Sequence, residues 1–78
     1  MQYDSLIACG KDNLRLCHWL NKNYPGPGVY TSRAIMTDTE KGRCALVFTE
    51  INASPEAAVK IAAYVRRFAP LARYSINY

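Results

Sequence analysis

The chain has 78 residues, of which half are hydrophobic and 21% are charged, and ten lysines and arginines against six acidic residues give a net charge of +4. This balance is that of a folded globular domain and excludes a disordered chain. At this length only one hydrophobic core fits, so we expect residues 1–78 to form a single α+β domain.

The first third of the chain contains a predicted helix, and two structures are possible for the residues before it. Apolar residues recur there at helical spacing: Leu16, Cys17, Leu20 and Tyr24. The helix can begin at the cap candidate Asp12 and must end before Pro25. Residues 2–8 fit either a short strand, which gives the ferredoxin-like order β-α-β-β-α-β, or the first turns of a longer helix, which gives α-β-β-α-β. Because Gly10 inside a helix costs about 1 kcal/mol relative to alanine, the strand is favoured.

Two strands follow, joined as a hairpin. Residues 29–37 and 43–51 are rich in β-branched and aromatic side chains, and residues 38–42 connect them. We expect a five-residue connection in which Gly42 takes a positive φ after a type I turn.

A second helix and a last strand complete the chain. Ser54 is a good N-cap, Pro55 suits the first helical position, and Pro70 marks the end. One apolar stripe lies between them: Ala58, Ile61, Ala62, Val65 and Phe68. Residues 72–78 alternate apolar with polar, and a crossover through the helix places this strand parallel to an earlier one. The predicted fold is therefore two helices on one face of a small mixed sheet.

Period-two alternation divides the strand residues between two faces of the sheet. We expect the larger apolar residues to face the helices: Tyr30, Ala34, Met36, Leu46, Phe48, Tyr74 and Ile76. The other face then carries Arg33, Arg43 and Arg73 among small and polar residues that include Thr49. Such a face can meet phosphates or an acidic protein surface, or it is simply the solvated face of an antiparallel sheet.

The last strand is expected at a sheet edge, where unpaired backbone groups can add to a strand of a partner or of a second copy. Tyr74 and Tyr78 would fill pockets in that partner. The predicted partner-binding residues are therefore Arg33, Arg43, Arg73, Tyr74 and Tyr78. The protein is expected to be a monomer or a homodimer.

Groups suited to catalysis or metal binding are sparse. The one histidine, His18, neighbours Cys17 on the first helix, but adjacent helical residues point about 100° apart and cannot form a dyad. The candidate zinc set Cys9, Cys17, His18 and Cys44 lacks the short paired spacing of zinc sites. We expect no catalytic residues, no metal and no cofactor. An odd set of three cysteines, with neither a signal peptide nor an apolar stretch that could span a membrane, predicts a cytoplasmic protein with reduced thiols and no membrane partner.

Two amphipathic helices on a hairpin and a last strand, with no motif for chemistry, resemble the small orphan proteins of phages and mobile elements, including anti-CRISPR inhibitors. The resemblance implies a non-enzymatic protein that inhibits or modulates a host protein or nucleoprotein complex in the host cytoplasm. The alternative is a small basic nucleic-acid-binding domain that uses the arginines of the open sheet face. RNA-recognition domains have a related strand order, but their base-stacking aromatics are not expected here because Phe48 is assigned to the helix side.

Overall fold

The computed structural model describes residues 3–39 and 42–78, and the side chains of residues 11–36, 38, 42 and 45–78. Its elements are α1 (Tyr3–Asn23), β1 (Tyr30–Thr39), β2 (Gly42–Asn52), α2 (Pro55–Phe68) and β3 (Tyr74–Asn77). The strands form one sheet in the order β1-β2-β3, with β1 antiparallel and β3 parallel to β2. Within the described helices, no stretch has the length and apolar character needed to cross a membrane.

The predicted α+β class is confirmed, and the element order is α-β-β-α-β. The favoured strand at residues 2–8 is wrong, because α1 begins at Tyr3 and runs through Gly10 to Asn23. Once a helix has formed, each further residue adds a hydrogen bond, so a single glycine does not end it. The helix ends before Pro25, as predicted.

The hairpin is tighter than the sequence indicated. The two strands pair without interruption from Tyr30 opposite Ile51 to Thr39 opposite Gly42, so the predicted five-residue connection is wrong. Residues 40 and 41 lie outside the described residues. The positive φ expected for Gly42 is confirmed, at 115°.

The start of α2 follows the capping pattern. The Ser54 hydroxyl accepts a hydrogen bond from the Ala57 N–H, and Pro55 occupies the first turn, where its missing donor costs nothing. The stripe is confirmed at Ala58, Ile61 and Val65, which are buried. Phe68 is 49% exposed, and its ring contacts Tyr64 rather than the core.

The core forms where both helices meet one end of the sheet. Its fully enclosed side chains are Leu16, Leu20, Ile51, Ile61 and Val65. The contacts of α1 show that it crosses the sheet obliquely. Asn13 hydrogen-bonds to Arg73 beside β3. One turn further along the helix, Cys17 contacts the hydroxyl groups of Ser32 and Thr49. Near the end of the helix, Asn21 accepts a hydrogen bond from the Tyr30 hydroxyl on β1. The far end of the hairpin is therefore not covered by this crossing.

Asn13 joins α1 to the sheet through three hydrogen bonds. Its side-chain amide donates to the Thr49 hydroxyl at 3.0 Å and to the Arg73 carbonyl at 2.8 Å, while its carbonyl accepts from the Arg73 N–H at 2.9 Å. The side chain is fully buried, so its amide must be satisfied within the protein. The Arg73 carbonyl also accepts from the Thr49 N–H, which begins the β2–β3 pairing. One side chain thus fixes the position where β3 starts.

Two neighbours of Asn13 hold the same part of the backbone. Asp12, the predicted helix cap, lies inside α1 and its carboxylate accepts a hydrogen bond from the Leu71 N–H at 2.8 Å. Arg15 donates to the Phe68 carbonyl. The connection between α2 and β3 is therefore attached to α1 at three points along residues 68–73.

The core assignment predicts a large cost for truncating Ile61. Ile61→Ala should lower the free energy of unfolding by about 2–4 kcal/mol, because it leaves a cavity at a fully buried site. Val59→Ala, at a position that is 70% exposed on the same helix, should change it by less than about 0.5 kcal/mol. Urea denaturation followed by circular dichroism measures both values, and equal losses would contradict the assigned core face.

The role of Asn13 predicts that its amide nitrogen, and not only its shape, is required. Asn13→Ala should cost about 2–3 kcal/mol because it leaves the partly buried Arg73 N–H without a partner. Asn13→Asp has nearly the same shape, but its carboxylate cannot donate to the Arg73 carbonyl, so it should be at least as destabilising at neutral pH. The exposed Asn23, replaced by alanine, is the matched control and should cost less than about 1 kcal/mol. Wild-type stability of Asn13→Asp in urea denaturation would disprove this role.

Candidate functional site

The two faces of β2 are the reverse of the sequence prediction. Thr49 and Ile51 are fully buried beneath the helices, and the pairing of β2 with β1 shows no bulge, so alternation places Leu46 and Phe48 on the open face. The assignment of Leu46 and Phe48 to the helix side, with Thr49 on the open side, is therefore wrong. Arg33 lies opposite Phe48 on this open face, as predicted for the arginine.

Polar side chains beneath α1 explain how Thr49 is buried at no loss of hydrogen bonding. The Thr49 hydroxyl accepts from Asn13 and lies 2.8 Å from the Ser32 hydroxyl, which lies 3.4 Å from the Cys17 sulfur. From the sequence alone, a threonine in a strand is predicted to face solvent. Its partners Asn13 and Ser32 come from α1 and β1, which only the fold brings together.

The open face contains a groove with a volume of 780 Å³. Ile35, Leu46 and Phe48 form the larger apolar part of its lining, which we call the apolar floor, and Arg33 and Arg73 also line it. No carboxylate lines it among the residues that the structure describes. Ile35 is 61% exposed, although an isoleucine at a strand centre is normally covered. The groove therefore combines exposed apolar surface with positive charge, a combination typical of a binding surface.

Among the described residues, one side of β2 has no strand partner along this groove. β3 pairs only with Thr49–Asn52 of β2, whereas β1 pairs with the whole of β2. Odd-numbered residues of β2 direct their backbone groups toward β3, as shown by the Thr49 N–H bond to Arg73, while the Asn52 N–H points to β1. The N–H and C=O groups of Ala45 and Val47 thus point away from β1 at a level that β3 does not reach. We call residues 43–48 the free edge of β2.

Three of the five predicted binding residues meet at the groove. Arg33, Arg73 and Tyr74 line it, but Tyr74 is in register with the buried Thr49 and packs against the core, so its side chain lies on the helix side of the sheet. Tyr78 is 81% exposed beyond the end of β3 and does not line the groove. The side chain of Arg43 lies outside the described residues. β3 does lie at the edge of the sheet, as predicted.

The uncovered end of the hairpin exposes apolar residues on both of its faces. Met36, predicted to face the helices, is 56% exposed and Ala34 is exposed as well. Their positions alternate with Ile35, so the two surfaces lie on opposite sides of the strand. Ala34 and Met36 do lie on the helix side of the sheet, as predicted, but neither is covered, because α1 crosses the sheet nearer to Tyr30 and Ser32.

Cys17 and His18, the two neighbouring candidate groups, lie on different sides of α1. Cys17 contacts hydroxyl groups beneath α1, whereas His18 is exposed on the outer side of the same helix. No group of three or more histidine, cysteine, aspartate or glutamate side chains that could hold a metal ion occurs among the described residues. The side chains of Cys9 and Cys44, the other two residues of the candidate zinc set, lie outside the described residues.

The free edge predicts an alternating pattern of amide hydrogen exchange along β2. The amides of Ala45 and Val47 should exchange at least about tenfold faster than those of Leu46 and Phe48, which point toward β1. Exchange measured by two-dimensional NMR resolves these four neighbours, and the Thr49 amide serves as a protected reference. Slow exchange at Ala45 and Val47 would show that this edge is already paired.

The geometry thus defines one groove bounded by an apolar floor, two arginines and a free strand edge. Neither helix covers it, since both pack on the opposite face of the sheet around Ile51. Its lining residues come from β1, from β2 and from residues 72–74 at the start of β3, which are distant in sequence. Comparison with known proteins yields no matching family model, no matching curated protein and no matching solved structure.

Proposed function

We propose that the chain is a non-enzymatic binding protein that takes an extended, acidic segment of a partner protein into the groove and so inhibits or modulates that partner. The observation that carries the proposal is the presence of an apolar floor, two arginines and a free strand edge in one groove. If the resemblance to anti-CRISPR inhibitors holds, the partner would be a host protein complex.

The free edge favours an extended ligand over a folded surface. A segment lying beside residues 43–48 would hydrogen-bond to the backbone of Ala45 and Val47 and would continue the sheet in line with β3. Backbone pairing supplies affinity with little dependence on the ligand's sequence. It also removes the exposed polar edge, which otherwise invites unspecific pairing.

Selectivity would come from the side chains of the groove. Alternate residues of an added strand point to the open face, where Ile35, Leu46 and Phe48 offer apolar contacts. Arg33 and Arg73 can each bind a carboxylate through two parallel hydrogen bonds, which a lysine cannot do. With no carboxylate in the described lining, an acidic ligand meets no opposing charge inside the groove.

Site-specific crosslinking tests this proposal. A photo-crosslinking residue in place of Leu46 should capture a protein from an extract of the native cell after nuclease treatment, and mass spectrometry should map the contact to an extended acidic segment. A synthetic peptide of that segment should then bind the wild-type protein. The double variant Arg33→Glu with Arg73→Glu should weaken binding of the peptide by about 100-fold, since repulsion between carboxylates replaces two charge-assisted hydrogen-bonded contacts.

The matched control is the same crosslinker in place of Val59, an apolar side chain that is 70% exposed on α2 and outside the groove. It should capture no protein in common with position 46. The peptide should also slow amide exchange at Ala45 and Val47. A mapped contact that is neutral or helical, or a peptide that leaves both amides unprotected, would refute the proposal.

A second function is favoured by one observation, the position of Phe48. This ring lies on the open face of the central strand with Arg33 directly opposite, which suits stacking on a base of single-stranded nucleic acid. Phe48→Leu separates the two functions, because it keeps the apolar floor but removes the stacking ring. Nucleic-acid binding at this face would be lost in this variant and would weaken steeply with salt, whereas peptide binding would be largely retained.

A further inference from the structure

The net charge of the chain resides on its helices, away from the groove. Residues 11–23 of α1 together with α2 contain six lysines and arginines but only two acidic residues, Asp12 and Glu56. The other eight charged residues of the chain, four of each sign, cancel. Asp12 is also engaged by the Leu71 N–H. The outer side of the helical layer is therefore the basic surface of this protein.

Two lysines, one arginine and the histidine form a row along α1. Lys11, Arg15, His18 and Lys22 are spaced by four, three and four residues, which places them on one face of the helix over about 16 Å. All four are exposed, and together with Leu14, Trp19 and Tyr64 they line one depression between the helices. None of the four has an ion-pair partner among the residues that the structure describes. We call this row the basic row.

Aromatic rings lie beside the basic row. Trp19 of α1 stacks on Tyr64 of α2 with ring centroids 4.2 Å apart and an angle of 15° between the planes. Phe68 and Tyr24 extend this group on either side, at 5.3 Å from Tyr64 and 5.6 Å from Trp19. Trp19 and Tyr64 are only partly buried, so parts of both rings remain open to a ligand.

We infer that the outer face of the helices binds single-stranded nucleic acid, with phosphates on the basic row and a base against the Trp19–Tyr64 rings. Positive charge that follows a backbone, combined with accessible rings, is how proteins bind single strands without sequence preference. A duplex would leave the rings unused because its bases are stacked inside. This surface faces away from the groove, so the inference does not depend on the proposed function.

The single tryptophan makes the test direct, because all tryptophan fluorescence comes from Trp19. Titration with oligothymidine of about 12 nucleotides at about 50 mM salt should quench this fluorescence as a base reaches the ring. The logarithm of the binding constant should fall with the logarithm of salt concentration with a slope of about −2 to −3, for three to four phosphate contacts.

Two double variants of equal net charge locate the site. Lys11→Gln with Lys22→Gln removes both ends of the basic row and should weaken binding by about tenfold or more. The slope of the salt dependence should become shallower by about 1.4, since two phosphate contacts are lost. Arg33→Gln with Arg73→Gln removes two charges from the groove instead and should change binding by less than about twofold. All four side chains are exposed, so circular dichroism should show that both variants fold like the wild type.

Three results would overturn the inference. The first is unchanged tryptophan fluorescence with oligothymidine at low salt. The second is an equal loss of binding in both double variants, which would mean that only net charge matters. The third is equally tight binding and quenching by polyglutamate of matched charge, which would identify the surface as a site for acidic protein instead.

Discussion

The structure depends on how one buried amide is satisfied. Asn13 is enclosed where α1 crosses the sheet, and its donors and its acceptor all find partners on Thr49 and on the backbone of Arg73. A buried amide that loses such partners is costly, so this arrangement fixes the position of the helix relative to β2 and β3. Arg73 is thereby held at the groove, and the burial of Thr49 sets which face of β2 is open.

The oblique course of α1 separates the molecule into a packed end and an uncovered end. At the packed end, Leu16, Leu20 and Ile61 enclose Ile51. At the other end, Ile35 and Met36 remain exposed on opposite faces of the hairpin. In a chain of this size an uncovered pair of strands adds little stability of its own. In the proposed function this apolar surface contacts the partner, while the charge of the chain lies on the helices behind it.

Local signals in the sequence predicted most of the fold. The Ser54 cap, the period of α2, the hairpin and the parallel last strand all follow from short-range patterns, and each is present. Which face of β2 is open could not be predicted in this way, because both alternating sets of its residues contain apolar side chains. The sequence assigns the set with the bulkier side chains, Leu46 and Phe48, to the core. The Thr49 hydrogen bonds that decide the question join residues 36 and 17 positions apart in the chain.

The candidate site was predicted only in part. Arg33 and Arg73 were assigned to the open face correctly, because β1 and β3 alternate without ambiguity. The apolar floor was missed together with the face of β2. The free edge could not be predicted, since it depends on where β3 begins to pair with β2. That position follows from Asn13, whose partners are 36 and 60 residues away in sequence.

The attachment of residues 68–73 to α1 also determines which substitutions the fold can tolerate during evolution. Asp12, Asn13 and Arg15 hold this segment only through its main-chain N–H and C=O groups. Nearly any side chain at position 73 can therefore be accommodated while the strand start stays in place. A surface built in this way can acquire a new ligand preference by single substitutions at little cost to folding, which would suit the proposed binding function.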